Sequence, residues 1–253
     1  PVATAVPAFI GYTQKAIRNN KNLHNLPTRI SSLGEYLLYF GDEPDTKYAL
    51  AASADKQRMY ELSTKTETRF LLYYSMKLFF DNGGSDCYIV SIGNYNSKPV
   101  LADFNGEITA NGELFLKGIA ALQKETEPTL LVIPDAMLLG EADRAALQQW
   151  MLQHCAKVAS RFCILDVSMD ENDTQKTDTQ KIVQDFRENI GNDNLMWGAA
   201  YYPWLHTNIT HTDAVNFRHI DRGSWDNLIA LLLAEVDENE SKGLDKKRAD
   251  DLK

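Results

Sequence analysis

The apolar residues of this chain are gathered into short runs between polar stretches, and the spacing inside each run predicts its backbone. From Glu67 to Gly93 the sequence ETRFLLYYSMKLFFDNGGSDCYIVSIG reads as a helix turning straight into a strand. Phe70, Leu71, Tyr73, Tyr74, Leu78, Phe79 and Phe80 leave the helical half almost no polar face, so it needs cover on most sides. Gly83 and Gly84 stop it, because glycine adopts the left-handed backbone that closes a helix. Cys87-Tyr88-Ile89-Val90-Ser91-Ile92 is apolar with little alternation, the pattern of a strand covered on both faces.

The same reading extends along the chain. Val6 to Tyr12 predicts a first strand and Pro27 to Ile30 an extended segment, after which Ser31 or Ser32 caps a helix reaching Phe40. Residues 45 to 65 are mixed and polar, an excursion from the core that could also be a lid or a loop. Asn94 to Gly112 reads as a polar connection with a turn at Asn105-Gly106, and Leu114, Leu116, Ile119, Ala120 and Leu122 have the spacing of a helix packed on one face. Thr129 to Ile133 predicts a strand stopped by Pro134, and Glu141 to Val158 a helix burying Leu147, Met151, Leu152 and Cys155. Phe162 to Val167 is a further strand, and Gln180 to Ile190 a helix with Ile182, Val183 and Phe186 inward. Leu195 to Tyr202 completes the set as a last core strand halted by Pro203.

Strands separated by crossovers of this length imply an α/β fold: a mostly parallel sheet with helices on both faces. Beyond Leu205 the character changes. Trp225, Leu228, Ile229, Leu232 and Val236 fit an amphipathic helix, and residues 237 to 253 hold too little apolar surface to stay folded alone. The expected organisation is an α/β domain over 1–205, with 45–65 as an excursion, then a linker, an amphipathic helix and a polar C-terminal helical or disordered tail over 206–253.

Composition narrows the functional classes. A formal net charge of -9 argues against a sequence-independent nucleic-acid binder, which gains affinity by neutralising phosphates. Three cysteines without metal-ligand spacing offer no disulfide framework and fit a reducing compartment. No apolar run approaches the roughly 20 residues of a membrane span, and the first residues lack the basic start of a secretory signal.

Candidate chemistry is sparse. Open parallel sheets bind ligands beyond the carboxyl ends of their strands, which marks Asp135 and Asp166 for a nucleotide- or phosphate-binding enzyme. Aspartates after strands also cap helices or accept loop N–H groups. Gly83-Gly84 follows a helix and precedes a strand, the reverse of the order that aims helix N–H groups at a phosphate. His206, His211, Asp213 and His219 could in principle hold a metal, although solvated loop histidines give the same pattern. Cys87, Cys155 and Cys163 fall in core elements, where thiols act as small apolar side chains. The run Tyr201-Tyr202-Pro203-Trp204 could offer an aromatic platform, or be a strand end packing into the core. No catalytic, cofactor-binding or metal residue is assigned.

Five blocks nevertheless carry a resemblance: AVPAFIGYTQKA at 5–16, PTRISSLGEYLLYFG at 27–41, FLLYYSMKLFFDNGGSDCYIVSIGNY at 70–95, EPTLLVIPDAMLL at 127–139 and AAYYPWL at 199–205. In this order, over about Val2 to Leu205, the chain resembles contractile tail sheath proteins of phages, R-type bacteriocins and contractile injection systems. That resemblance implies a structural protein without catalysis or cofactor. Its copies would stack as hexameric rings around an inner tube, then shorten and widen to drive the tube through a target envelope. The implied partners are neighbouring sheath subunits, the tube protein and the baseplate, with no nucleic acid and no membrane insertion. The implied setting is the bacterial cytoplasm during assembly, then the phage tail or particle. A baseplate or terminator protein with a sheath-like domain would share the fold and differ in copy number.

In that family, arms at both chain ends add strands to sheets of neighbouring subunits, through backbone hydrogen bonds that tolerate large rigid-body movements. Only Pro1 to Thr4 precede the first block, and nothing after Leu205 matches the family's C-terminal domain, so a trimmed fragment or short variant is expected. Val2, Ala3, Thr4, Ala5 and Val6, beside the expected arm, form the candidate subunit interface. Purified alone, the chain is expected to be a soluble monomer or small oligomer. Rings or tubes in negative-stain micrographs would contradict this.

Overall fold

The computed structural model describes residues 5–53, 60–110, 113–169, 179–210 and 214–241. The chain divides into two compact units, Pro1–Pro44 with Phe70–Ile209 and Asp45–Arg69 with Thr210–Lys253.

Alternation along the first strand sets the two sides of the first unit. β1 (Pro7–Thr13) is buried at every position. Ala8, Ile10 and Tyr12 join one apolar cluster while Phe9 joins another, because successive side chains of a strand point to opposite faces. A small antiparallel pair, β2 (Ile17–Arg18) and β3 (Lys21–Asn22), leads to β4 (Thr28–Ile30). α1 (Leu33–Phe40) starts at Ser32, whose hydroxyl accepts a hydrogen bond from the Glu35 N–H at 3.2 Å, while Glu35 accepts from the Ser31 N–H at 2.7 Å. This two-way exchange satisfies donors that a helix start leaves orphaned.

β5 (Tyr48–Ala52) and β6 (Tyr60–Thr64) belong to the second unit. α2 (Leu72–Asp81) buries Leu72, Tyr73 and Met76 and ends before Gly83, at φ 86°, with the Gly84 N–H donating to the Phe79 carbonyl at 2.8 Å. β7 (Cys87–Asn94) follows, buried over its first six positions. β8 (Asn105–Ala110) and β9 (Glu113–Gly118) form an antiparallel hairpin, which corrects both the loop expected over 94–112 and the helix expected from Leu114. Only from Ile119 to Lys124 does the chain turn helically, as a 3-10 segment burying Ile119, Ala120 and Leu122.

β10 (Leu130–Val132), α3 (Glu141–Val158), β11 (Phe162–Asp166), α4 (Thr179–Ile190) and β12 (Gly198–Tyr201) complete the unit. The six-stranded sheet runs β12-β11-β10-β1-β7-β4. Every neighbouring pair is parallel except β4 with β7. α1 and α2 pack on the face that includes Phe9, Cys87 and Ile89, and α3 on the face that includes Ile10, Val90 and Leu131, so helices cover both faces. Among the described residues β12 is an edge strand rather than a core strand: its last two residues are exposed, and it pairs with β11 alone.

A buried cation fastens the 119–128 segment to α3. Arg161 is 2% exposed, and its guanidinium donates to the carbonyls of Leu122 at 2.8 Å, Pro128 at 3.1 Å and Glu125, and to Nε2 of His154 at 2.8 Å. Burial, then the neighbouring Arg161, pushes the His154 imidazole down to about 4, which keeps it neutral and able to accept.

In the second unit, β5 and β6 pair antiparallel and α5 (Trp225–Ser241) accompanies them. Leu50 is buried; its N–H donates to the Ser224 hydroxyl at 3.1 Å and its carbonyl accepts from the Asn227 amide at 3.0 Å. Residues 237–241, expected in the polar tail, continue α5 as helix.

Arg161→Met is expected to cost about 3–5 kcal/mol in urea unfolding, since it strands three carbonyls that share one donor group. Arg161→Lys should recover less than half of that, because an ammonium cannot fork. A loss under about 1 kcal/mol for Arg161→Met would remove the clamp from the account.

Candidate functional site

The order of the parallel strands decides where a ligand would enter. β1 lies between β7 and β10, so the chain steps over β1 on its way from β7 to β10 and then continues outward through β11 and β12. Sheets wound in this order bind ligands at the carboxyl ends of the strands flanking the reversal. Here that point is the end of β1 beside the turn after β10.

The protein fills this point with its own groups. β10 stops at Val132 while β1 runs on to Thr13. Asp135, fully buried, takes the Tyr12 N–H on Oδ2 at 2.8 Å and the Leu71 N–H on Oδ1 at 2.7 Å, and the Leu72 N–H also donates to it. Leu71 is the N-cap of α2 and supplies no side-chain cap of its own. A carboxylate brought from a distant turn therefore does the capping, at the end of the helix where its charge is favoured. Gly11 makes the approach feasible: a Cβ there would lie 2.5 Å from Asp135 Oδ2 and 3.0 Å from Leu72 Cβ. Burial raises the Asp135 carboxyl to about 6, against the lowering effect of its backbone donors.

Tyr12 adds a second fastening. Its hydroxyl donates to the Asp103 carboxylate at 2.6 Å and accepts from the Val100 N–H at 3.2 Å, with burial the main cause lifting its pKa far above the usual tyrosine range. Thr13 and Ser91 hydroxyls meet at 2.7 Å, with His24 Nδ1 3.3 Å from Ser91. At the other end of the sheet Tyr88 donates to Glu127 at 2.5 Å, and Arg29 pairs with Asp86 at 2.8 Å and Glu127 at 3.4 Å.

The remaining sequence candidates lie elsewhere. Asp166 ends β11, its carboxyl pushed up by burial and its carbonyl accepting from the Gln148 amide at 2.8 Å. His206 is exposed, His211 and Asp213 lie outside the described residues, and His219 Nδ1 accepts from the Asn216 N–H at 3.2 Å in a local cap. Among the described residues no His, Cys, Asp and Glu group has metal-holding geometry. All three cysteines are buried, and burial pushes Cys87 up to about 12. Val2, Ala3 and Thr4 lie outside the described residues. Ala5 is exposed, but Val6 is 2% exposed and bonded through its N–H to the Thr129 hydroxyl at 2.9 Å, so Val6 belongs to the core and not to a surface.

Exposed apolar side chains gather instead around β12: Leu195, Met196 at 79%, Tyr201 at 60% and Leu205 at 84%. Of the Tyr201 to Trp204 run, Tyr201 is exposed at the end of β12, while Tyr202 and Trp204 are half-buried, with the Trp204 indole nitrogen enclosed. Arg161 and His154 went unseen in the sequence, where an arginine before a strand carries no sign of a carbonyl cage.

No family model and no curated protein matches this chain. A solved structure does. It is described as the anti-feeding prophage helical sheath in its contracted state, at 20% identity and a TM-score of 0.44, over 79% of this chain and 40% of that one. The chain therefore spans less than half the length of that sheath chain.

The raised carboxyl of Asp135 sets a pH dependence. The folded state binds the proton more tightly than the unfolded chain, with its carboxyl near 3.8, so this group's stabilisation is complete below about pH 4 and is lost as pH rises through about 6. The wild-type advantage over Asp135→Asn in urea unfolding should therefore grow by up to about 3 kcal/mol from pH 7 to pH 4. A shrinking advantage would show that the ionised carboxylate is the preferred form.

Proposed function

We propose that the chain is a structural subunit, or part of one, of a contractile sheath that surrounds an inner tube and contracts to drive it through a target envelope. The observation that carries this reading is where the five resembling blocks fall. They contribute β1, β4 with α1, α2 with β7, β10 with its following turn, and most of β12. Four of them are also tied to one another by buried or half-buried polar contacts. Tyr12 and Leu71 meet at Asp135, Val6 meets Thr129, and Arg29 and Tyr88 meet at Glu127. The similarity thus falls on the framework that makes the unit rigid, and rigidity is what a subunit moved as a body requires.

The ligand crevice of the sheet being occupied by Asp135 and the start of α2 further supports a structural role over a nucleotide- or phosphate-binding enzyme. In the sheath reading the partners are other copies of the chain, arranged as hexameric rings in the full-length protein, with the tube and the baseplate. The exposed apolar residues around β12, together with the exposed Ala5, are surfaces on this unit open to such contacts.

Quantitative mass spectrometry of intact particles from the producing cells tests the reading. A sheath subunit is present in many copies that scale with particle length. A few copies regardless of length would assign the chain to a terminator or baseplate, and absence from the particles would end the proposal.

A further inference from the structure

Two of the three cysteines meet inside the first unit. Cys155, on the last turn of α3, and Cys163, the second residue of β11, are fully buried in the same apolar cluster, and their thiols are hydrogen-bonded to each other. The backbone holds both in place. The Cys155 carbonyl accepts the Ala159 N–H at 2.8 Å where Ala159, at φ 53°, ends the helix. Cys163 lies between Leu131 of β10 and Gly198 of β12 in the parallel ladders. A Cβ at Gly198 would lie 2.7 Å from Cys163 Sγ and 2.8 Å from Leu152 Cδ2, so the glycine leaves the room that the sulfur occupies beneath α3. Only a short side-chain movement separates such a thiol pair from a sulfur–sulfur bond.

The surroundings make the two thiols unlike. The hydrogen bond from Cys163 lowers the Cys155 thiol below its usual range against the effect of burial, and the Arg161 charge adds to the lowering. That same bond, then burial, pushes Cys163 up. The Cys163 thiol also reaches the Trp197 carbonyl at 3.4 Å. An isolated buried thiol is inert, and Cys87, pushed up to about 12 by burial, is one. Cys155 instead has a donor for its anion and a second sulfur in contact, the relation of an attacking to a resolving cysteine.

We propose that Cys155 and Cys163 form an oxidation site that a hydroperoxide converts to a disulfide tying α3 to β11. The Cys155 thiolate attacks one peroxide oxygen and the O–O bond breaks. With hydrogen peroxide, the departing hydroxide takes up the proton Cys155 released and leaves as water. Cys163 sulfur then displaces hydroxide from the Cys155 sulfenic acid, and that hydroxide leaves with the Cys163 proton as a second water. The two thiols lose two electrons and the peroxide gains them. Both sulfurs are closed to solvent, so the peroxide enters when the β12 edge opens: this strand has four residues and pairs, among the described residues, with β11 alone. Edge strands of this kind open before the core does. The site does not depend on the sheath reading.

The test treats the full chain with hydrogen peroxide, quenches with catalase, unfolds it in N-ethylmaleimide and maps the cysteines by peptide mass spectrometry. Cys155 and Cys163 should lose label together, about tenfold or more faster than Cys87, and should appear as linked peptides lighter by two hydrogens that dithiothreitol separates. In Cys163→Ala, dimedone should tag Cys155 as the sulfenic acid. In Cys155→Ala, Cys163 should react no faster than Cys87. The wild-type map decides by itself if either variant fails to fold. The proposal is overturned if both cysteines keep their label under conditions that oxidise free glutathione, if Cys87 reacts as fast as they do, or if the link joins two chains or includes Cys87.

Discussion

A single buried carboxylate holds the main unit together at the point where its topology would otherwise leave a gap. Asp135 reaches from the turn after β10 to the end of β1 and to the start of α2, joining segments more than sixty residues apart in sequence. A helix start left without a cap and a strand left without a neighbour each expose backbone N–H groups, which are costly to bury unpaired. One side chain answers both needs. The cost is a carboxyl carried into the interior, visible in its raised pKa, and the loss of any side chain at Gly11.

This arrangement also bears on function. In an open parallel sheet the same N–H groups at a helix start are the ones that hold a phosphate or other anion. Here they already hold an anion supplied by the protein. The core on both faces, the Arg161 carbonyl cage and the Tyr12 contact to Asp103 then add rigidity around that centre. A body of this kind fits the sheath reading proposed above, in which many copies would move as units.

Much of the core was legible because long apolar runs need burial whatever their context. The strand through Cys87 to Ile92, the helix over Glu141 to Val158 and the cap at Ser32 follow from periodicity and local hydrogen bonding alone. Leu114 to Leu122 misled because Leu116, Ile119 and Ala120 satisfy a helical spacing, while Leu114 and Leu116 equally fit the twofold alternation of a strand. The decisive sign was Asn111-Gly112, a dipeptide favoured in two-residue hairpin turns, between the paired Ala110 and Glu113. The β12 segment looked like core because its aromatic and small residues are apolar, yet edge position is a property of the whole sheet. Asp135 was recognised as special and left between two roles. Its helix lies earlier in the chain, and no local pattern reveals a cap supplied from afar. The joining of 45–69 with 210–253 is likewise long-range and leaves no mark in either segment.

The most direct measurement is native-state hydrogen exchange at the amides of Tyr12, Leu71 and Leu72, with and without added phosphate and nucleoside triphosphate. If Asp135 fills the sheet's ligand point, these three amides exchange only through global unfolding, and neither addition changes their rates. Fast exchange at these positions, or slowing that appears when phosphate or nucleotide is added, would contradict the account.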